Sequence, residues 1–272
     1  MMEMLTKTKR LGTLLKVHGG KAYLAKWIIS HFPTNYTELT FVEPYFGGGS
    51  VLLQKRRSMV EIANDLDRKL ISIWHSVRNR PLYFQHELSL LNYSQETFDA
   101  ALRGELEPKE VQEFVLRRMS RGGMKTSFAW SERLRRGMPG DVSGWLSAVD
   151  AIPAIARRIA NVSFYSMDAI KLLLCYLDYQ DILVYADPPY LQETRVSKRA
   201  YGEFEMTEGD HRQLAEVLNA MQGKVIVSGY HSRLYDELYK GWRIEEKEIV
   251  NNASQSKTKR KMTEVLYINW RN

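Results

Sequence analysis

Apolar positions along the chain change pattern twice. From 21 to 32 they recur at helical spacing and stop before Pro33. A short strand at 39–42, a helix at 50–56, a strand at 59–63 and a helix at 67–77 follow, a β-α-β-α opening that predicts a parallel sheet. From 78 to 160 the spacing is helical, in segments at 80–91, 94–103, 108–119 and 145–160, with no convincing strand. Alternation resumes at 162–165 and continues through 168–177, 181–186, 207–222, 224–229, 231–239, 243–250 and 264–270. The pattern predicts an α/β core formed by 1–77 and 161–272, interrupted by a helical insertion over 78–160. At roughly 80 residues, that insertion is much longer than an ordinary connection.

Composition narrows the setting. Hydrophobic residues make up 44% of the 272, enough for a sizeable core. No apolar run approaches the ~20 residues that span a bilayer, and no signal peptide is legible, so a cytoplasmic location is expected. Cys175 is the single cysteine, which excludes an internal disulfide and a cysteine-based zinc site. The net charge of +7 is unevenly spread. Arg117, Arg118, Arg121 and Lys125 form one cluster, Arg133, Arg135 and Arg136 follow closely, and Lys257, Lys259, Arg260 and Lys261 form another. A polyanionic partner accounts for such clusters, solvated basic faces being the alternative.

The densest chemistry lies where predicted strands end. Asp187-Pro188-Pro189-Tyr190 follows the apolar run 182–186. Two prolines fix φ and remove two donors, leaving carbonyl oxygens beside a carboxylate and a flat ring. Such acceptors beside a stacking face suit an exocyclic amine on a planar base. After the first core strand comes Glu43-Pro44-Tyr45-Phe46-Gly47-Gly48-Gly49-Ser50, where glycine admits close approach and a helix start offers free N–H groups. No Gly-Lys-Ser/Thr closes this loop and Gly-x-Gly-x-x-Gly is unmatched, which weakens the phosphate-loop and dinucleotide readings. The acidic Glu43 suits an ammonium or sulfonium ligand better than a pyrophosphate. Asp65, at the tip of the second strand, stands where α/β nucleotide sites hold ribose hydroxyls, or else caps the helix starting near Asp67. Lys21, after Gly19-Gly20, stands unfavourably at a helix start, which suggests an anionic ligand such as a carboxylate.

In this order the segments resemble the Dam-like (D12 class) adenine-N6 DNA methyltransferases, from about 15 to 270. Gly19-Gly20-Lys21 resembles the family's methionine-carboxylate motif, the loop from Val42 to Ser50 its S-adenosylmethionine loop, and Asp65 its ribose acid. Asp187-Pro188-Pro189-Tyr190 resembles its catalytic motif, and the insertion occupies the place of its DNA-recognition domain. The resemblance implies a Rossmann-like methyltransferase core with a helical insertion for DNA recognition. It also implies S-adenosylmethionine as cofactor, held by Lys21, Glu43, Phe46, Gly47, Gly49, Asp65 and Asp187, with Asp187, Pro188 and Tyr190 catalytic and no metal. Double-stranded DNA is the implied partner, met by Arg121, Lys125, Lys257 and Lys259 and methylated on the N6 of a flipped-out adenine, by an enzyme expected to be monomeric. Cytosine N4, an RNA amine, or a catalytically silent DNA-binding role are the competing readings. A link to restriction-modification is a further expectation of the family.

Overall fold

The computed structural model describes residues 11–195, 201–250 and 261–271. Its helices are α1 (Ala25–Ser30), α2 (Ser50–Gln54), α3 (Arg68–Asn79), α4 (Pro81–Ser89), α5 (Gln95–Arg103), α6 (Lys109–Met119), α7 (Gly140–Ile159), α8 (Ala169–Leu174), α9 (Glu208–Ala220) and α10 (Arg233–Leu238). Its strands are β1 (Thr40–Glu43), β2 (Val60–Asn64), β3 (Leu134–Arg135), β4 (Met138–Pro139), β5 (Val162–Tyr165), β6 (Ile182–Ala186), β7 (Lys224–Gly229), β8 (Arg243–Val250) and β9 (Lys261–Ile268).

Seven strands form one sheet in the order β5-β2-β1-β6-β7-β9-β8. The first five are mutually parallel, and β9 runs antiparallel to both β7 and β8. Burial follows position: every residue of β6 is buried, whereas β5 at the edge alternates buried Val162 and Phe164 with exposed Ser163 and Tyr165. A central parallel strand is covered on both faces and so reads as a continuous apolar run. At the other edge, β8 carries Glu245, Glu246, Lys247 and Glu248, charges that discourage edge-to-edge pairing. One sheet face presents Val42, Ile62, Val184, Val227 and Tyr267 to Leu172, Leu173, Leu214, Leu218 and Leu234 of α8, α9 and α10. Burying each such leucine stabilises the fold by about 1.5–3 kcal/mol. This arrangement is the α/β core with a mainly parallel sheet that the alternating pattern predicts, and the Rossmann-like core that the resemblance implies.

The chain divides into two compact units. One gathers the described residues up to Lys26 with Gly48–Lys55 and Ser72–Ala160; the other gathers Trp27–Gly47, Arg56–Ile71 and the described residues from Asn161 onward. The first, helical unit centres on Phe114 of α6, which meets Phe84 of α4 and Trp145 of α7 edge-on, both at 5.6 Å between ring centroids. Phe128 packs on Tyr93 and Phe98, and the Tyr93 hydroxyl donates to the Ala129 carbonyl at 2.6 Å. These contacts close the glycine-rich stretch 120–129 into an ordered loop. Gly123 is required there: its φ is +76°, and a Cβ would lie 2.1 Å from the Lys16 carbonyl oxygen.

One expectation fails in this unit. The stretch without strands contains a β-hairpin, β3 and β4, with Leu134 opposite Pro139 and Arg135 opposite Met138. Its turn places Arg136 at φ 55° and Gly137 at φ 76°, the left-handed pair that a tight hairpin demands. Strands of two residues carry no readable periodicity, and turn geometry rather than apolar alternation makes this one. Helix α7 also starts earlier than its apolar spacing suggests, at Gly140, and continues through Pro153.

Candidate active site at the carboxyl edge of the sheet

In the sheet unit the strand order reverses between β1 and β6: from β1 the chain steps to β2 and β5 on one side, and β6 and β7 lie on the other. The crevice outside the carboxyl ends at such a switch point is the usual binding place in open α/β sheets. Glu43 ends β1 and Asp187 follows the last residue of β6, so both acids flank the reversal. Glu43 is buried and Asp187 half-buried. Pro188 is buried beyond it, and Tyr190 is 5% exposed.

A third acid reaches this edge by another route. Val265 of β9 pairs with Gly229 near the end of β7, and the antiparallel direction puts the preceding Glu264 at the same edge. Glu264 is 1% exposed. The Tyr190 hydroxyl donates to its Oε1. The Tyr190 ring also stands edge-on to Tyr230, 4.7 Å between centroids at 84°. Beneath them, the Tyr185 hydroxyl and Ser228 Oγ are 2.8 Å apart. Burial pushes the Tyr185 phenol well up, and the Asp187, Glu43 and Glu264 carboxyls add to the effect. Burial does the same for Tyr190, reinforced by Glu264 and then Asp187. Both phenols therefore stay protonated, and that of Tyr190 serves as a donor to Glu264.

The neighbouring strand tips are tied together by Asn64, which is fully buried. Its Nδ2 donates to the Pro44 carbonyl at 3.0 Å and to the Met167 carbonyl at 2.9 Å, and its Oδ1 accepts from the Met167 N–H at 3.0 Å. One side chain thus fastens the loop after β1 to the loop after β5. Phe46 packs on Phe164 at 5.6 Å, and its N–H donates to the Asn64 carbonyl. Asp65 accepts from the Gly47 N–H through Oδ2 at 2.8 Å and from the Asp67 N–H through Oδ1 at 3.0 Å. The cap of α3 is a different acid: Asp67 Oδ1 accepts from the N–H groups of Lys69 and Leu70, at 3.0 and 3.1 Å. Asp65 therefore orders the glycine loop instead of capping the helix.

In the helical unit, Gly49 (φ 63°) precedes α2, and a Cβ on Gly48 would press on Val17 Cγ2 at 3.2 Å. Lys21 is 5% exposed, its Nζ donates to the Gly19 carbonyl at 3.0 Å, and its own carbonyl accepts from Leu24 and Ala25 as α1 begins. Lys125 Nζ pairs with Glu113 at 3.0 Å, whereas the Arg121 side chain is exposed. Lys257 and Lys259 lie outside the described residues. Sequence reasoning passed over Asn64, Glu113 and Glu264. Polar residues inside otherwise apolar strands, Asn64 after Ile62-Ala63 and Glu264 before Val265-Leu266, were the available signal.

The donor set suits S-adenosylmethionine. Buried and half-buried carboxylates at the β1 and β6 ends match a cationic centre, Asp65 stands at the tip of the second strand, and Gly47 at positive φ leaves bare backbone in the loop after β1. Among the described residues no His, Cys, Asp or Glu cluster is arranged to hold a metal ion, and no helix is long and apolar enough to cross a membrane. No curated protein gives a significant match. Among solved structures, a SAM-dependent methyltransferase from Agrobacterium tumefaciens is 13% identical with a TM-score of 0.42, aligned over 94% of this chain and 63% of that one. An rRNA methylase from Streptococcus thermophilus is 8% identical with a TM-score of 0.37, aligned over 90% of this chain and 94% of that one. Both scores are low, and the fold rests on the strand order and strand-end geometry described above. The family described as D12 class N6 adenine-specific DNA methyltransferase matches residues 18–117 and 147–254, well over half of the chain. With its Asp-Pro-Pro-Tyr shelf beside the switch point of a methyltransferase sheet, the protein is a methyltransferase that uses S-adenosylmethionine and belongs to the D12 class N6 adenine-specific DNA methyltransferase family.

Proposed function

We propose that the protein methylates the N6 amine of an adenine rotated out of double-stranded DNA. The observation that carries this reading is the position of Asp187-Pro188 directly after β6 at the switch point, with Tyr190 held beside it. An adenine amine is a weak nucleophile because its lone pair is delocalised into the ring. Asp187 and the Pro188 carbonyl accept its two N–H bonds, draw the nitrogen towards tetrahedral geometry and free the lone pair, a preorganised electrostatic effect. Asp187 receives the proton released as the nitrogen gains its substituent. S-adenosylmethionine, when bound, supplies the methyl group on a sulfonium that is already a good leaving group. Lys21 would hold its carboxylate, Glu43 and Asp65 its cationic and ribose portions, and Phe46, Gly47 and Gly49 its loop-facing side.

Extruding the base costs a few kcal/mol, which stacking on Tyr190 offsets in part. DNA binding is assigned to the helical unit. The family match leaves out 118–146, the stretch that holds Arg121, Lys125 and the arginine hairpin, as befits the part of the chain that distinguishes one target sequence from another. The test is transfer of tritiated methyl from S-adenosylmethionine to unmethylated duplex DNA, followed by digestion to nucleosides. Label in N6-methyladenosine with the wild type, reduced at least ~1,000-fold in Asp187→Ala, is the expected result. Label in N4-methylcytosine, or in RNA alone, overturns the acceptor.

A further inference from the structure

Glu264 lies beyond the residues that match the family, in a strand whose sequence resembles the family's C-terminal hairpin, a resemblance that gives this acid no role of its own. A buried carboxylate is costly unless its partners are good, and an apolar residue would pack equally well in a strand such as Glu264-Val265-Leu266-Tyr267-Ile268. Its Oε1 accepts from the hydroxyl of the one aromatic in the Asp-Pro-Pro-Tyr shelf. We propose that Glu264 is a positioning residue which, through the Tyr190 hydroxyl, locks the tyrosine ring as the platform for the target base. This inference rests on the adenine-methylation reading above.

The geometry restrains the ring in two directions. Glu264 holds its far end, and Tyr230, edge-on at 4.7 Å, blocks rotation sideways. Both restraints come from the β7 side of β6: Tyr230 follows β7, and Glu264 sits on β9, which pairs with β7. A ring fixed before the base arrives loses little freedom on stacking, and its face is already where the rotated base must lie. Because the phenol stays protonated, it donates to the carboxylate throughout the working pH range. The antiparallel β9 thus brings a third acid to the edge that Glu43 and Asp187 reach from parallel strands.

The experiment compares wild type, Glu264→Gln, Glu264→Leu, Tyr190→Phe and the Tyr190→Phe/Glu264→Leu double variant. Each is assayed for kcat and KM on duplex DNA, and for 2-aminopurine fluorescence in a duplex whose labelled position is the methylation site mapped with the wild type. S-adenosylmethionine binding by calorimetry checks that each variant is folded. Glutamine keeps an oxygen acceptor, so Glu264→Gln is expected within about threefold of wild-type kcat. Glu264→Leu and Tyr190→Phe should each lose about 10- to 100-fold in kcat with KM little changed, and lose most of the fluorescence rise. The double variant should be no worse than the poorer single one, because both break the same hydrogen bond. Wild-type fluorescence and kcat in Glu264→Leu or in Tyr190→Phe, or losses that multiply in the double variant, overturn the inference. Tyr190→Phe leaves Glu264 in place and so tests the hydrogen bond even where Glu264→Leu does not fold. Absence of N6-methyladenine with the wild type is a separate outcome that removes the underlying reading itself.

Discussion

Two sets of arginines in the helical unit lie close in sequence and serve opposite ends. Arg117 and Arg118 sit side by side on α6, 6% and 8% exposed. Arg117 pairs with the equally buried Glu113 at 2.8 Å, and Arg118 donates to the Gly144 carbonyl of α7 at 2.5 Å. Burial pulls the Arg118 guanidinium down to about 10, which still leaves it charged at neutral pH. Arg133, Arg135 and Arg136 are all exposed, at the start and turn of the β3–β4 hairpin. Arg118 joins α6 to α7 and Arg117 holds a buried acid of its own helix, whereas the second set is exposed. A run of basic residues therefore identifies a nucleic-acid surface only once the cations that the protein uses internally have been subtracted.

Substitutions separate the two sets, beginning with the largest effect. Arg117→Ala strips a buried carboxylate of a buried partner, and the expected loss is about 3 kcal/mol of stability, read by denaturant unfolding, with the salt dependence of DNA binding unchanged in the surviving folded protein. Replacing Arg133, Arg135 and Arg136 together by Ala should do the reverse. Unfolding should move by less than ~0.5 kcal/mol. The slope of log affinity against log salt should flatten by about 2.7, or ~0.9 for each phosphate no longer neutralised. A triple variant that melts early while binding DNA with the original slope would erase the distinction. Lys125 stands between the sets, paired with Glu113 yet with a side chain 34% exposed. Its replacement by Ala should cost ~1 kcal/mol or less and leave the slope nearly unchanged, a difference to be sought by calorimetry and filter binding together.

What was legible in the sequence was what local pattern encodes. The apolar runs gave the strands close to their observed limits, and the acids and glycines at strand ends marked the carboxyl edge. Partnerships across long separations were not legible. Glu264 meets Tyr190 from 74 positions away, and the register of an antiparallel pair, which no periodicity reveals, decides that it faces the site. Arg117 and Arg118 resembled surface charge because helical spacing shows which residues share a face without showing what covers it. The hairpin escaped notice because its two-residue strands are shorter than any alternation. Asp65 had two candidate roles, and the cap supplied by Asp67 removes one of them, that of capping α3.

The pairing of β2 with β5 bears on how this chain acquires its structure in time. Glu61 lies opposite Val162, so two adjacent parallel strands are joined through Ser72–Ala160, the longest segment of the helical unit. Closing so long a loop adds little to the equilibrium cost, since each doubling of length adds only ~0.6 kcal/mol, but it delays the search for the pairing. Local helices such as α4 to α7 can form early and draw the two ends together. The edge strand β5 is then expected to dock late, and with it the Met167 hydrogen bonds that Asn64 makes. On this account the loop after β1 stays unfastened from the loop after β5 until the slowest pairing of the sheet is complete. In refolding, recovery of S-adenosylmethionine binding would lag behind recovery of helical signal.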